Sequence, residues 1–400
     1  MKVLVFMKVS DLRPAGGPAG YCYNIYQELT KQGITEIDFL PADNVKSVER
    51  KNLYYKITKR LPKWLNALQI AVRRKKEYQR MIQSPVRHNM DFSGYDAIHF
   101  HSTGSLYKHR RDIEGFKGKV ILTTHSPVPQ HQEIYAELPT KFEKKIYKSF
   151  YSKLDQIDEY AFRRADYVVF PCEEAEESYF NNWGKYAELH SEMKAKGKLF
   201  YIPTGIQPKP VLRDRDQVCR DHNLNPEKHL VSYAGRHNQV KGYDLLQQIA
   251  IRSWERKNDY SFVICGKESP LQGLKDPRWT EVGWTNDSQS VIAASDVFVL
   301  PNRETYFDII MLEVLSSGKL IVASRTGGNK YFEKIGAQGI FLYDSIEQAI
   351  ASLERIAGMD AAEKARLENE NKALFYAQFT TDKYLQKYLQ FLHMVTEDER

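Results

Sequence analysis

Arg236 and Lys241 stand five residues apart in Val231-Ser-Tyr-Ala-Gly-Arg-His-Asn-Gln-Val-Lys-Gly-Tyr-Asp-Leu245, where an apolar run passes into Gly235-Arg236 and Lys241-Gly242 opens a helical pattern. Two cations flanking the start of a helix suit a diphosphate, because hydrogen bonds from charged donors contribute ~1.5–3 kcal/mol each. Solvated loop cations would read the same way. Leu300 to Gly328 holds a second set: Glu304, Asp308 and Glu313 around an apolar helical run, then Gly327-Gly328. A carboxylate accepts two hydrogen bonds from the vicinal hydroxyls of a ribose. Ordinary helix-start and helix-surface acids fit these positions too. Near the start, Pro14-Ala-Gly-Gly-Pro-Ala-Gly20 supplies Gly16 and Gly17 between a strand and a helix, where backbone can approach a phosphate or sugar. The spacing is not G-x-G-x-x-G, which argues against a dinucleotide, and a plain tight turn uses similar residues. Thr123-Thr-His-Ser126 ends an apolar run and places His125 where a site histidine sits, beside His99 and His101 of the preceding strand. A structural histidine carries the same signature.

These residues need elements to hold them. Apolar runs at 2–9, 36–42, 96–102, 119–126, 166–172 and 198–205 predict six strands, and 229–236, 261–267, 279–285, 296–302, 320–325 and 339–344 predict six more. Helical patterns lie between them, notably at 20–32, 140–164, 241–256, 309–318 and 346–358, with a last one at 380–396. Such alternation predicts an α/β protein of two doubly wound, Rossmann-like parallel-sheet domains. The join falls near Pro203-Thr-Gly-Ile206, giving domains at 1–205 and 206–378 with a C-terminal helix at 379–400 that packs back on the first. Ligands belong at the carboxyl ends of such strands, in the cleft the two domains face. The candidate residues all follow strands.

Taken together, these blocks resemble the retaining GT-B-fold glycosyltransferases of family 4. The likeness runs through Gly16-Gly17, Asp96-Ala-Ile-His-Phe-His-Ser102, Leu122-Thr-Thr-His125, Ala165-Asp-Tyr-Val-Val169, Ile202-Pro-Thr-Gly-Ile206, Gly235-Arg236 with Lys241-Gly242, and the Glu313 block. The resemblance implies a nucleotide-diphosphate sugar held mainly by the C-terminal domain and an acceptor held mainly by the N-terminal one. It assigns the diphosphate to Arg236 and Lys241, the ribose to Glu313, and the donor sugar to His125 and the 304–309 loop of Glu304, Thr305, Tyr306, Phe307, Asp308 and Ile309. Gly16 and Gly17 would approach that sugar, and main chain near Lys267 and Trp284 would meet the base. It further implies retention of anomeric configuration through a front-face reaction, with no catalytic metal, no cofactor and no protein general base. UDP is the base favoured by family frequency. One departure stands out. Counted back from Glu313, the pattern E-x-F-G-x-x-x-L-E places Leu312 and Phe307, but puts Thr305 where an acid is expected and Asp308 where a glycine is.

The charge points to a location. The chain carries 58 Lys and Arg against 51 Asp and Glu, net +7, yet residues 46–87 alone hold 13 cations against Glu49 and Glu77, so the rest is net acidic. Within that segment Leu61, Trp64, Leu65, Leu68, Ala71 and Val72 recur at helical spacing. A basic amphipathic helix with Trp suits an anionic membrane surface, though it equally suits packing on its own domain. Nucleic acid is disfavoured because no binding motif accompanies the charge. The start, Met1-Lys-Val-Leu-Val-Phe-Met-Lys-Val9, reads as a strand and not a signal peptide, and no apolar run reaches the ~20 residues of a spanning helix. Cys22, Cys172, Cys219 and Cys265 lack metal-ligand spacing. These features predict a cytoplasmic protein, peripheral on the inner face of the plasma membrane, transferring a hexosyl or N-acetylhexosaminyl group to a glycan or lipid-linked acceptor in cell-surface polysaccharide synthesis. The alternatives are a catalytically silent GT-B subunit that binds a partner or glycan, and a sugar-nucleotide epimerase of the same fold. A phosphorylase is disfavoured, since no lysine stands in a recognisable pyridoxal context.

Overall fold

The computed structural model describes residues 1–6, 12, 18–40, 63–83, 91–136, 138 and 141–397. They form two compact units, one of Met1–Phe170, Tyr179–Tyr201 and Lys387–Arg400, the other of Pro171–Ser178 and Ile202–Gln386. The last helix, Thr381–Glu397, therefore begins in the second unit and from Lys387 belongs to the first.

The first unit holds a six-stranded sheet of β1 (Val3–Phe6), β2 (Ile37–Leu40), β3 (Ala97–Phe100), β4 (Lys119–Leu122), β5 (Tyr167–Phe170) and β6 (Leu199–Tyr201). Every neighbouring pair is parallel, in the order β2-β1-β3-β4-β5-β6. The sequences VLVF and AIHF are buried throughout, as strands covered on both faces must be. The order turns back between β1 and β3, the place where such sheets open a crevice.

Helix Lys63–Gln83 lies in the basic segment; residues 46–62 and 84–87 fall outside the described residues, as do the side chains of Leu61, Trp64, Leu65, Leu68 and Ala71. Tyr78 joins it to Leu138 and to Tyr147, Leu154 and Ile157 of helix Lys141–Arg164, with the Tyr78 and Tyr147 rings edge to face at 4.9 Å. One turn earlier Arg74 Nε donates to the buried Glu143 at 2.8 Å. Among the described residues the seam to the domain thus includes Arg74, Tyr78 and Ile82. Val72, part of the stripe read from the sequence, stays 48% exposed.

In the second unit the order is β12-β11-β10-β7-β8-β9, again all parallel. Its strands are β7 (His229–Ala234), β8 (Tyr260–Cys265), β9 (Trp279–Gly283), β10 (Val297–Leu300), β11 (Leu320–Ser324) and β12 (Ile340–Tyr343). Side chains alternate between two cores with the two-residue period of a strand. Val297, Val299, Leu320 and Val322 face helices Tyr243–Glu255 and Ile346–Ala357, while Phe298, Leu300, Ile321 and Ala323 face helix Ile309–Ser316. The turn in strand order falls between β7 and β10, so the segments after these two strands share a crevice. The expected GT-B architecture of two doubly wound sheets is what the chain adopts, and all twelve strands lie where the apolar runs place them.

Candidate functional site

β7 ends at Ala234 and delivers Gly235-Arg236 to the carboxyl edge of the second sheet; helix Tyr243–Glu255 then starts at Gly242. Gly242 adopts φ +63, and a Cβ there would lie 1.6 Å from the Pro301 carbonyl oxygen, so only glycine lets the two segments touch. This contact sets Lys241 against the segment after β10. Lys241 Nζ donates to Asp308 Oδ1 at 2.8 Å and Oδ2 at 2.7 Å, and Asn302 Nδ2 also donates to Asp308 Oδ2. Asp308 precedes helix Ile309–Ser316, but its side chain makes no bond to the helix N-terminus; the cation takes the carboxylate instead. Arg236 is exposed, with its backbone oxygen accepting from the Tyr233 hydroxyl at 3.0 Å. Lys241 and the acidic loop thus meet at the turn in strand order, with Arg236 five residues earlier on the same segment. His237 lies under them, its ring stacked on Tyr243 at 3.9 Å and 8°. The Tyr243 hydroxyl donates to Glu281, whose carboxyl is raised above its usual range by burial.

Glu313 is buried one turn into helix Ile309–Ser316, and its Oε1 meets Lys209 Nζ at 2.6 Å. The carboxylate is thus paired with a lysine of the segment after Ile206, which sequence reasoning missed. Residue spacing carries no signal for a pairing across 104 positions, from 209 to 313. Thr305 and Asn302 are each 1% exposed, and Thr305 Oγ1 and Asn302 Oδ1 find no hydrogen-bond partner among the described residues. Gly327 and Gly328 press against this loop, since a Cβ on either would lie 2.1 Å from the carbonyl oxygen of Thr305 or Tyr306.

Other expected positions are distributed differently. The Phe307 ring is core, stacked on Phe332 at 5.6 Å and packed near Phe379, and Ile309 packs against the same cluster. Their side chains are therefore spent on packing. Tyr306 and Glu304 are half-buried on the loop. Lys267 is exposed just past β8, and Trp284, 74% exposed, follows β9. Gly16 and Gly17 lie outside the described residues.

In the first unit the three histidines form a connected array at the carboxyl ends of β3 and β4. His101 Nδ1 and His125 Nε2 are 2.6 Å apart with rings stacked at 4.9 Å, and Tyr21 meets His125 edge-on at 4.7 Å. His125 itself sits at φ +56, a left-handed conformation uncommon outside glycine that turns the chain at the strand end. Beneath it, Thr123 Oγ1 donates its one hydrogen to Val169 O at 3.2 Å and so accepts from His99 Nε2–H at 2.9 Å. His99 Nδ1 then accepts from the Tyr388 hydroxyl at 2.7 Å, which assigns the tautomer by counting donors. Burial pushes His99 well below the ordinary imidazole range and His101 down to about 3, so both are neutral at pH 7. His125, half-buried, is the member of the array that reaches the surface.

Two family models match the chain: Glycosyltransferase Family 4 over residues 15–208 and Glycosyl transferases group 1 over 228–358. Together with its fold, these matches place the chain among the GT-B glycosyltransferases. Among curated proteins it is 29% identical over 129 residues to sulfoquinovosyl transferase SQD2 of Arabidopsis thaliana, across 30% of this chain and 24% of that one. It is 31% identical over 108 residues to UDP-Gal:alpha-D-GlcNAc-diphosphoundecaprenol alpha-1,3-galactosyltransferase of Escherichia coli, across 24% of this chain and 28% of that one. The chain thus matches less than a third of either relative's length. Over whole chains, sucrose-phosphate synthase from Thermosynechococcus elongatus superposes with TM-score 0.64 at 18% identity, covering 99% of both. Anabaena HepE, solved in complex with UDP-glucose, gives 0.59 at 13% identity, covering 98% of this chain and all of that one. At these identities the structural likeness is one of fold.

Proposed function

We propose that this chain is a retaining glycosyltransferase that moves a hexosyl or N-acetylhexosaminyl group from a UDP-sugar to a glycan or lipid-linked acceptor in cell-surface polysaccharide or glycolipid synthesis. The observation that carries this reading is the meeting of Lys241 and Asp308 at the turn in strand order of the second sheet, with Arg236 on the segment of the first and Glu313 on the helix that follows the second. Arg236 and Lys241 take the diphosphate and stabilise the charge that develops as the sugar C1–O bond breaks. Glu313 accepts from the ribose hydroxyls. The acceptor oxygen bonds to C1 on the face the phosphate leaves, and its proton passes to the departing phosphate oxygen. That route needs no protein base and, on this reading, no metal. His125 addresses the donor sugar, held by a neutral His101. UDP-glucose in the HepE complex and UDP-Gal in the galactosyltransferase's name favour uridine as the base.

The reading places the protein at the inner face of the plasma membrane. Arg73, Lys75, Lys76 and Arg80 are exposed on helix Lys63–Gln83, and Lys141, Lys145, Lys148 and Lys153 on the helix packed against it. Val72 and Phe142 are both 48% exposed among them. Anionic lipid attracts each such cation by ~1 kcal/mol near the surface.

Calorimetry against UDP, GDP, ADP and their sugar conjugates, followed by donor-consumption assays with candidate acceptors, tests the function. One nucleotide should bind, and Lys241→Ala and Glu313→Ala should each abolish that binding. Binding without turnover on any acceptor would support the silent-subunit reading. No nucleotide binding at all would overturn the proposal. For the location, Phe142→Ala with Lys145→Glu and Lys148→Glu should release the protein from phosphatidylglycerol vesicles and leave nucleotide affinity unchanged; unaltered vesicle binding would remove the membrane part.

A further inference from the structure

The cation assigned to the diphosphate is already occupied. Both oxygens of Asp308 lie within hydrogen-bond distance of Lys241 Nζ, at 2.8 and 2.7 Å, and Asn302 Nδ2 steadies the same carboxylate. A diphosphate arriving at Lys241 meets a second anion on the same ammonium, in a pair whose side chains are only 25% and 15% exposed. Screening by water is weak there, so the repulsion is felt. A carboxylate in that position is an obstacle to a bare anion and an asset to a hydroxyl, whose hydrogen it accepts. The sugar of an intact donor begins one bond beyond the phosphate, so its hydroxyls arrive where the displaced carboxylate needs donors. Two more polar atoms wait on the same loop. Asn302 Oδ1 and Thr305 Oγ1 are buried and without partners among the described residues, which a protein tolerates rarely unless a ligand completes them.

We propose that Asp308 makes this site select the intact nucleotide-sugar over the free nucleoside diphosphate. Its carboxylate repels the bare diphosphate from Lys241 and accepts hydroxyls of the donor sugar, with Asn302 and Thr305 as the adjoining contacts. This rests on the function proposed above and adds a direction to it. Once the sugar has left, Asp308 loses its hydroxyl donors and returns to Lys241, which expels the product.

The test is calorimetry of UDP, UDP-glucose, UDP-galactose and UDP-N-acetylglucosamine with the wild type, Asp308→Asn and Asp308→Ala. The Asp308 side chain makes no bond to the following helix end, so neither change uncaps it, and thermal midpoints check that both fold. At least one conjugate should bind the wild type more tightly than UDP does. Asp308→Asn should tighten UDP tenfold or more while changing that conjugate far less, since the amide keeps an acceptor and drops the charge. Asp308→Ala should tighten UDP and weaken the conjugate, reversing the preference. Equal conjugate-to-UDP ratios in all three proteins, or weaker UDP binding in Asp308→Asn, would overturn the inference while leaving the transferase reading intact. If Lys241→Ala leaves both affinities unchanged, the diphosphate is not on Lys241 and the assignment behind both proposals fails.

Discussion

His101 is where acid should first act on the amino-terminal unit. Its ring is buried between His99, at 4.2 Å between centroids, and His125, with Tyr21 at 5.7 Å, and none of these neighbours is an acid that would welcome a proton. Burial holds its pKa near 3, against 6.5 for an exposed imidazole. A histidine depressed in the folded state binds its proton preferentially when unfolded. Its contribution is therefore fully present above about pH 6.5 and is lost as pH falls towards 3. One proton of difference amounts to ~1.4 kcal/mol per pH unit, so at pH 4.5 the loss from His101 alone is roughly 2–3 kcal/mol. His99 is depressed by the same burial and adds in the same direction. His101→Gln removes one titrating group and keeps a polar side chain beside His125. Pulse hydrogen exchange across a urea series, read by mass spectrometry on peptides covering β3 and β4, isolates the opening of this unit. Between pH 6.5 and 4.5 the wild type should lose stability more steeply than His101→Gln, by about one proton's worth. Parallel curves would refute the reasoning, because they would mean that the buried imidazole takes up its proton in the native state without penalty.

Two further changes probe the second unit. Lys209→Met removes the lysine paired with the buried Glu313, so UDP affinity should fall several-fold, with Lys209→Arg restoring it; calorimetry decides, and an unchanged affinity in Lys209→Met would count against a role for the pair. Gly242→Ala places a methyl on the Pro301 carbonyl at a left-handed φ, where the backbone conformation alone costs ~1–2 kcal/mol. The thermal midpoint should drop by roughly 4 °C or more, and nucleotide binding should be lost with the Lys241–Asp308 contact. An unshifted midpoint with normal binding would mean that the two loops need not touch.

The sequence was most legible where burial on two faces writes a continuous apolar run. VLVF at β1 and VFVL at β10, buried at every position, are such runs. It was least legible where a helix buries little. Helix Ala361–Gln378 was not foreseen, because its buried stripe is Leu367, Asn371 and Phe375, and the middle member is polar. Asn371 earns its place through bonds to Lys319 O at 2.8 Å and Gly339 O at 3.1 Å, contacts that periodicity does not encode. On the basic helix the contacts with the domain among the described residues include Arg74 and Tyr78, amphipathic side chains that a count of apolar residues passes over, while the side chains of Leu61, Trp64, Leu65, Leu68 and Ala71 lie outside the described residues.

At the site, the sequence identified residue types and the strand ends that carry them, but not their pairings. Strand order explains both results. In a doubly wound sheet the segments after β7 and β10 are neighbours although they lie far apart in the chain, so Lys241 meets Asp308 across 67 positions. Read linearly, Thr305 looks like a missing acid and Asp308 like a misplaced one. In space they are parts of one change. The loop keeps a carboxylate, three residues further along, where Gly242 brings Lys241 within its reach. A chain that had merely decayed would have no reason to hold this carboxylate with a second donor, Asn302, and to leave polar atoms of Asn302 and Thr305 unspent beside it. Two unsatisfied buried groups on a single loop carry a standing free-energy cost, and a bound sugar is the ligand class whose hydroxyls would remove it.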